Sequence, residues 1–338
     1  MDAILVSDMK DIRYLTGFTG SEALLLLGGA EIFLLTDSRY TTQAETETSG
    51  CAVVEIKEKK AALAALAASE HFGSIGFQAE RVSVSLHNEL LQQMPDVRFA
   101  PMGAELASLR IIKDVQEIEC LAKTAKLASE AFLGMLETIE PAGTEKDVSL
   151  RLEFALRTAG ADDKAFDFIV ASGQRGALPH GRATSKTLCR GELVTIDFGA
   201  VVDGYNSDET ATIAIGKPDA KQREIYQIVK DAHDMALDAI RPGVKFCDID
   251  LVARDYIARK GYGDYFGHGL GHGVGLDVHE KPVVSFRNED VVQEGMVFTI
   301  EPGIYLPGWG GVRIEDMVFA TADGCRLLTH VPKDLTVV

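Results

Sequence analysis

The chain has 338 residues, of which 46% are hydrophobic and 25% charged, and it carries a formal net charge of −17. This length suffices for two domains of ordinary size, and the composition is that of a soluble globular protein. The acidic excess would repel a phosphate backbone, and no apolar run is long enough to span a bilayer, so we expect neither nucleic acid nor a membrane as a partner.

The N-terminal residues carry an acid at position 2 and lack the basic region and apolar core of a signal peptide, which predicts a cytoplasmic protein. The five cysteines are scattered and form no CxxC pair. We therefore expect reduced thiols rather than disulfides or a thiolate zinc site.

Strand-like and helix-like segments alternate over residues 1–100, which is typical of a small α/β domain. Strands are predicted at EIFLLTDS, CAVVEI and SIGF, and helices at KKAALAALAASEHFG, which has a glycine stop, and at SVSLHNELLQQMP. A boundary near residues 110–113 gives an N-terminal domain of residues 1–112 and a second domain of residues 113–338.

A long helix is predicted at the start of the second domain. Asp114 followed by Glu117 resembles a capping box, and apolar residues then recur three or four positions apart from Ile118 to Ile139. A faint repeat appears at an offset of 101 residues, with these matched pairs: Ile139 and Ile240, Pro141 and Pro242, Asp147 and Asp248, Leu150 and Leu251, Gly160 and Gly261. We therefore expect two similar α+β halves with a site between them.

The stretch TIDFGAVVDGYNSDETAT places Asp197 and Asp208 among residues that favour β structure, although aspartate is disfavoured in strands and costly to bury unpaired. The Asp-Gly pair at residues 203–204 predicts a two-residue hairpin turn, which sets Asp208 opposite Gly199 and Asp197 opposite Thr210. Both aspartates then point to one side, roughly 7 Å apart or somewhat less. They repel unless a cation lies between them, and two acids on a solvated sheet face are the alternative.

Three histidines lie on a glycine-rich loop, FGHGLGHGVGLDVHEKP, where the backbone can approach a ligand closely: His268, His272 and His279. A lone histidine is more often a surface or core residue than a ligand. Because imidazole is a common ligand of first-row metals, three on one loop favour a site.

Two more segments contribute carboxylates. Glu301 ends the apolar strand MVFTIEPGIY, and Arg313 and Glu315 share one face of the alternating strand GVRIEDMVF. Each has an ordinary explanation, as a solvated strand end or a plain salt bridge. Together, four carboxylates and one histidine suit two divalent cations joined by bridging carboxylates; Mn²⁺ fits such oxygen-rich ligands, with Zn²⁺, Co²⁺ and Fe²⁺ as alternatives.

These motifs, in this order, resemble those of the pita-bread metallopeptidases, and within them the aminopeptidase P and prolidase branch. DIRYLTGFTGS and TDSRY are similar to that branch's N-terminal domain, and PHGRAT through RIED to its catalytic domain. The resemblance implies an α/β N-terminal domain, an α+β pita-bread C-terminal catalytic domain with two pseudo-repeated halves, and a homodimer.

The resemblance also implies roles for individual residues. Its metal ligands fall on five positions: Asp197, Asp208, His272, Glu301 and Glu315. Its other active-site residues fall on His180 near the substrate, His268 in the outer shell of the loop, His279 at the scissile peptide and Arg313 as a support of the site.

The chain departs from the family pattern after the second aspartate. The family commonly has an apolar residue and then Thr-Arg-Thr, whereas here Glu209 replaces the apolar residue and Ala211 replaces the arginine. No predicted ligand is lost, but the role of that arginine is left open.

The resemblance implies an enzyme that acts on peptides with proline as the second residue. We expect an Xaa-Pro aminopeptidase, because GFTGS, DSRY and the compact N-terminal domain favour that branch. An Xaa-Pro dipeptidase (prolidase), which must recognise the free carboxylate of a dipeptide, is the alternative. A creatinase-like amidinohydrolase or a non-catalytic binding protein of the same fold should have lost ligands, and all five are present.

Overall fold

The computed structural model describes residues 1–139 and 142–338. These fall into two compact units, residues 1–109 and residues 110–338. The predicted match of Pro141 with Pro242 involves a residue outside the described ranges. No helix within those ranges has an apolar stretch long enough to cross a membrane.

The first unit is an α/β domain, as the alternating segments predict. Its strands are β1 (Ala3–Val6), β2 (Leu24–Gly28), β3 (Ile32–Thr36), β4 (Ala52–Glu55), β5 (Ser74–Gln78) and β6 (Arg98–Met102). Its helices are α1 (Met9–Thr16), α2 (Thr41–Glu47), α3 (Lys59–Ser69), α4 (Val84–Gln93) and α5 (Glu105–Leu109). The strands form one mixed sheet in the order β4-β3-β2-β1-β5-β6.

Both faces of this sheet are covered. Alternate residues of β2 enter different cores, with Leu24 and Leu26 on one side and Leu25 on the other. This is the period of two that a strand imposes on its side chains. Helix α3 ends at Ser69, before the predicted glycine stop, and His71 takes the left-handed φ of 58° beyond it.

The second unit contains two α+β halves. The first half has helices α6 (Val115–Leu136) and α7 (Glu145–Ala159) and strands β7 (Asp163–Lys164), β8 (Ile169–Ser172), β9 (Leu193–Phe198), β10 (Ala200–Val202), β11 (Tyr205–Asn206) and β12 (Glu209–Ala214). The second half has helices α8 (Ala220–Ala239) and α9 (Phe246–Arg259) and strands β13 (Gly271–Gly273), β14 (Glu280–Val284), β15 (Val297–Ile300), β16 (Gly303–Leu306), β17 (Gly310–Arg313), β18 (Asp316–Ala320) and β19 (Cys325–Leu327).

The helices confirm the predicted repeat. Each half has a long helix, a shorter helix and then a glycine in the left-handed region, Gly160 with φ 108° and Gly261 with φ 89°. Each half also packs its helices on its own apolar core. The capping box at Asp114 is present, because Asp114 and Glu117 each accept a hydrogen bond from the other's backbone N–H.

The main sheets of the two halves meet near the predicted ligands. The first has the strand order β12-β9-β8, and the second has β14-β13-β15-β18-β19. Glu315 N donates a hydrogen bond of 3.1 Å to Thr210 O, which joins the segment between β17 and β18 to β12. Residues 336–338 lie beside the other end of β12, where Ala214 N donates to Thr336 O and Val338 N donates to Ala214 O.

Candidate metal centre

The predicted hairpin forms at residues 203–204. Asp203 and Gly204 have φ of 49° and 73°, the two positive values that a type I′ turn requires. Thr210 pairs with Asp197 as predicted. The ladder does not continue through Gly199, however, and Asp208 lies just before β12 instead of pairing there. A Cβ at Gly199 would lie 1.9 Å from the carbonyl oxygen of Ser207, so the chain can bend here only with glycine.

The structure brings all five predicted ligands together. Their oxygen and nitrogen atoms form overlapping groups whose members lie within 4.8 Å of one another: Asp197, Asp208 and Glu315; His272, Glu301 and Glu315; Asp208, His272 and His279. His272 Nε2 lies 3.5 Å from Asp208 Oδ2 and 3.6 Å from Glu301 Oε1. The last group contains His279, for which the resemblance implies a role other than that of a ligand.

The cluster is electrostatically costly without a cation. Burial, together with the surrounding carboxylates, raises the pKa of Asp208 and of Glu301 well above their ordinary values. Burial and the Asp197 carboxylate raise the pKa of Glu315 to about 8. Asp197 Oδ1 is buried and has no hydrogen-bond partner among the described residues. A buried carboxylate oxygen without a partner, beside three other acids, fits a divalent cation.

His272 has the protonation and orientation that a metal ligand requires. Burial, and then the nearby His279, lower its pKa to about 3. Its Nδ1 lies 3.1 Å from the carbonyl oxygen of Gly273, so the N–H is assigned to Nδ1 and Nε2 is left free for a metal. The rings of His272 and His279 meet edge to face with centroids 4.0 Å apart, and burial lowers the pKa of His279 as well.

Arg313 holds the cluster from one side. Its Nη2 donates to Asp197 Oδ2 at 2.6 Å, and its Nε donates to Thr210 Oγ1 at 3.0 Å. Thr210 Oγ1 in turn donates to Glu315 Oε2 at 2.7 Å. The guanidinium therefore fixes one ligand candidate directly and a second through a hydroxyl.

Tyr305 is a site residue that the sequence did not reveal. Its hydroxyl accepts a hydrogen bond of 2.9 Å from Arg313 Nη1 and lies 3.0 Å from His268 Nε2. His268 Nδ1 lies 2.8 Å from Gly269 O, and burial lowers the His268 pKa to about 4, so Nε2 accepts from the tyrosine. The signal available was the position of Tyr305 four residues after Glu301, in EPGIY.

These side chains line a cavity of about 1010 Å³. His180, which is exposed, lies on its wall together with His268 and His279. The predicted site residues therefore converge on one cleft of the second unit, which is lined by both the carboxylates and the imidazoles.

Comparison with known proteins identifies the family. The model of "Metallopeptidase family M24" matches residues 119–322, and that of "Creatinase/Prolidase N-terminal domain" matches residues 1–112. The chain belongs to metallopeptidase family M24. It combines a creatinase-type N-terminal domain with a pita-bread catalytic domain, as the resemblance implied.

Several relatives of this M24 metallopeptidase have names or solved structures. The Xaa-Pro dipeptidase of Pyrococcus horikoshii is 38% identical over 99% of the chain and 94% of its own length. The structure of an Xaa-Pro dipeptidase from Bacillus anthracis has a TM-score of 0.98 at 40% identity and covers 100% of this chain and 95% of that one. An X-Pro aminopeptidase from Thermotoga maritima has a TM-score of 0.95 at 40% identity, with 100% and 98% covered.

The departure from the M24 pattern has a structural explanation. On β12, Thr210 faces the carboxylate cluster, so Glu209 and Ala211 point to the other side. Ala211 is buried in the apolar core of the first half. Glu209 is buried too, and accepts hydrogen bonds from Lys333 Nζ at 2.7 Å, Ser129 Oγ at 2.6 Å and Val331 N at 3.0 Å. The missing arginine therefore removes no side chain from the face that carries the ligand candidates.

Proposed function

We propose that this metallopeptidase is an Xaa-Pro dipeptidase, which hydrolyses the bond between an N-terminal residue and proline in a dipeptide. The convergence of the four candidate carboxylate ligands and four histidines in one cleft carries the hydrolytic part of the proposal. The names of the Pyrococcus and Bacillus anthracis relatives support the dipeptide substrate. The sequence favours an aminopeptidase, and the Thermotoga relative keeps that activity as the second candidate.

We propose two divalent cations, held by Asp197, Asp208, His272, Glu301 and Glu315. Asp208, Glu315 and His272 each belong to two of the three groups; His272 offers only Nε2, whereas each carboxylate has two oxygens and would be able to contact both cations. When bound, such a pair of cations activates a water molecule and polarises the scissile carbonyl. Because four of the five ligands are carboxylates, Mn²⁺ is the cation we propose.

The histidines of this chain would then handle substrate and protons. His279, beside His272, donates a hydrogen bond to the oxygen that gains negative charge as the carbonyl is attacked. His180, on the cavity wall, contacts the substrate. His268 stays neutral behind the cluster and, with Tyr305, keeps Arg313 directed at Asp197.

The substrate assignment is tested with purified protein and added Mn²⁺. A dipeptidase releases proline from Ala-Pro and cleaves Ala-Pro-Ala slowly or not at all. Preferential cleavage of Ala-Pro-Ala at its first bond would replace the dipeptidase with an aminopeptidase, and cleavage of neither peptide would overturn the proposal. The homodimer that the family resemblance implies is tested in the same preparation by measuring the molar mass with light scattering.

A further inference from the structure

A dipeptidase must bind a free carboxylate close to the scissile bond, and the cavity offers few cations for this purpose. Among the described residues, its lysine and arginine side chains are Arg182 and Arg313. Arg313 is already engaged, since its donors bond to Asp197, Thr210, Tyr305 and the carbonyl oxygen of Pro179. Arg182 is therefore the cation that a substrate can approach.

The sheet register places Arg182 in line with the proposed metal ligands. Ile169 forms a bridge with Arg182 on one side and pairs with Asp197 on the other. Residues opposite each other in neighbouring strands direct their side chains to the same face of a sheet. Arg182 therefore shares the face of Asp197, two strand spacings or roughly 10 Å away.

The distance between Arg182 and Asp197 suits the length of a dipeptide substrate. The carboxylate of Xaa-Pro lies one residue, about 3.8 Å of chain, beyond the scissile bond. With the scissile carbonyl at the metal cluster, the side chain of Arg182 would extend over the remaining distance. In a longer peptide this carboxylate is replaced by a neutral amide, for which a guanidinium has no charge to bind.

The present partner of Arg182 does not prevent this contact. Its Nη1 lies 3.3 Å from Asp167 Oδ2, and the two side chains are 78% and 54% exposed. Exposed ion pairs of this kind contribute little, typically about 0–1 kcal/mol. The guanidinium can therefore turn to a substrate carboxylate, with which it can form two parallel hydrogen bonds.

We propose that Arg182 binds the C-terminal carboxylate of the dipeptide and thereby selects dipeptides over longer substrates. This inference rests on the proposed dipeptidase function. It assigns a specificity residue outside the metal cluster, and it concerns binding of the substrate rather than the hydrolytic step.

The test compares Ala-Pro with Ala-Pro amide, which has the same scissile bond and no terminal charge. Loss of a charged hydrogen bond predicts that Arg182→Gln lowers kcat/KM for Ala-Pro by roughly 10- to 100-fold, mainly through KM. Hydrolysis of the amide should not change. Inhibition by L-proline should weaken by a similar factor, whereas inhibition by L-prolinamide should not. Arg182→Lys keeps the charge and should recover part of the loss.

Arg223→Gln is the matched control, because Arg223 is an exposed residue of α8 that does not line the cavity. Its kinetics should equal those of the wild type. Equal losses for Ala-Pro and its amide in Arg182→Gln, or no loss for either, would overturn the role of Arg182 while the dipeptidase function stands. Failure of the wild type to cleave Ala-Pro would overturn both.

Discussion

Lys333, whose side chain is 12% exposed, and the buried Glu209 form an ion pair, Nζ to Oε1 2.7 Å, on the face of β12 opposite the metal-ligand candidates. The same ammonium lies 3.0 Å from Asp316 Oδ1. Glu209 follows Asp208 in the sequence and Asp316 follows Glu315, so one lysine binds the immediate neighbours of two proposed ligands. Electrostatic contacts therefore stabilise the candidate metal centre from the face of β12 that points away from the cleft as well.

Removal of this lysine should destabilise the protein strongly. Lys333→Met leaves the buried Glu209 carboxylate without its cation, and breaking a buried ion pair in this way typically costs about 3–5 kcal/mol of unfolding free energy. Lys126→Met removes an exposed lysine 3.8 Å from Glu130. It should change the free energy of unfolding by less than about 1 kcal/mol. Urea unfolding of both variants measures the difference. Similarly small effects of both substitutions would show that the Lys333–Glu209 pair contributes little to stability.

The metal-free protein should lose stability as the pH rises. Glu315 has a pKa of about 8 in the folded chain and an ordinary value of 4.5, and Asp208 and Glu301 shift in the same direction. A raised carboxyl pKa stabilises the fold at low pH, and the effect is lost as the pH passes through the folded value. After chelation the melting temperature should therefore be lower at pH 8 than at pH 6. Added Mn²⁺ should remove most of this difference, and a flat profile without metal would contradict the prediction.

Two substitutions in the hairpin distinguish an aspartate that binds a cation from one that only forms the turn. Asp208→Asn removes a charge and an oxygen donor, so the protein should lose at least one bound cation and nearly all turnover. Asp203→Asn keeps a residue that tolerates the positive φ of the turn and should alter neither. The number of bound metal ions per chain, measured by mass spectrometry, and the turnover rate of each variant test this difference. Equal, mild effects of the two substitutions would show that Asp208 binds no cation.

His279 is proposed to act on the substrate, although it also lies within reach of a metal shared with Asp208 and His272. His279→Ala should lower kcat by roughly 10²- to 10³-fold, as is typical for the loss of one oxyanion donor. The metal content should stay unchanged. A loss of bound cation in this variant would make His279 a ligand instead.

Local signals predicted much of this architecture. The Asp-Gly turn at residues 203–204 set the register of β9 and β12, and Asp114 with Glu117 marked the start of α6, because both depend on residues close in sequence. The meeting of Asp197 with Glu315 depends on packing between two halves, which no local pattern encodes. Only the order of the motifs, compared with a known family, suggested it.

Other features could not be predicted from the sequence because they also depend on contacts between distant parts of the chain. The partner of Glu209 lies 124 residues further along the chain. No sequence pattern indicates that a glutamate and a lysine so far apart form an ion pair. Tyr305 reads as an ordinary strand residue until Arg313 and His268 are seen at its hydroxyl. The break of the ladder at Gly199 likewise follows from the close approach of Ser207.

The segment from Val331 to Val338 has a consequence for synthesis on the ribosome. Val331 N and Lys333 bind Glu209, and Thr336 and Val338 bond to Ala214, so both ends of β12 receive partners from residues translated more than a hundred positions later. While the nascent chain is still short of this segment, Glu209 lacks the Lys333 ammonium and Ala214 lacks its backbone partners. The second unit can therefore complete the surroundings of β12 only after the residues from Val331 to Val338 have been translated.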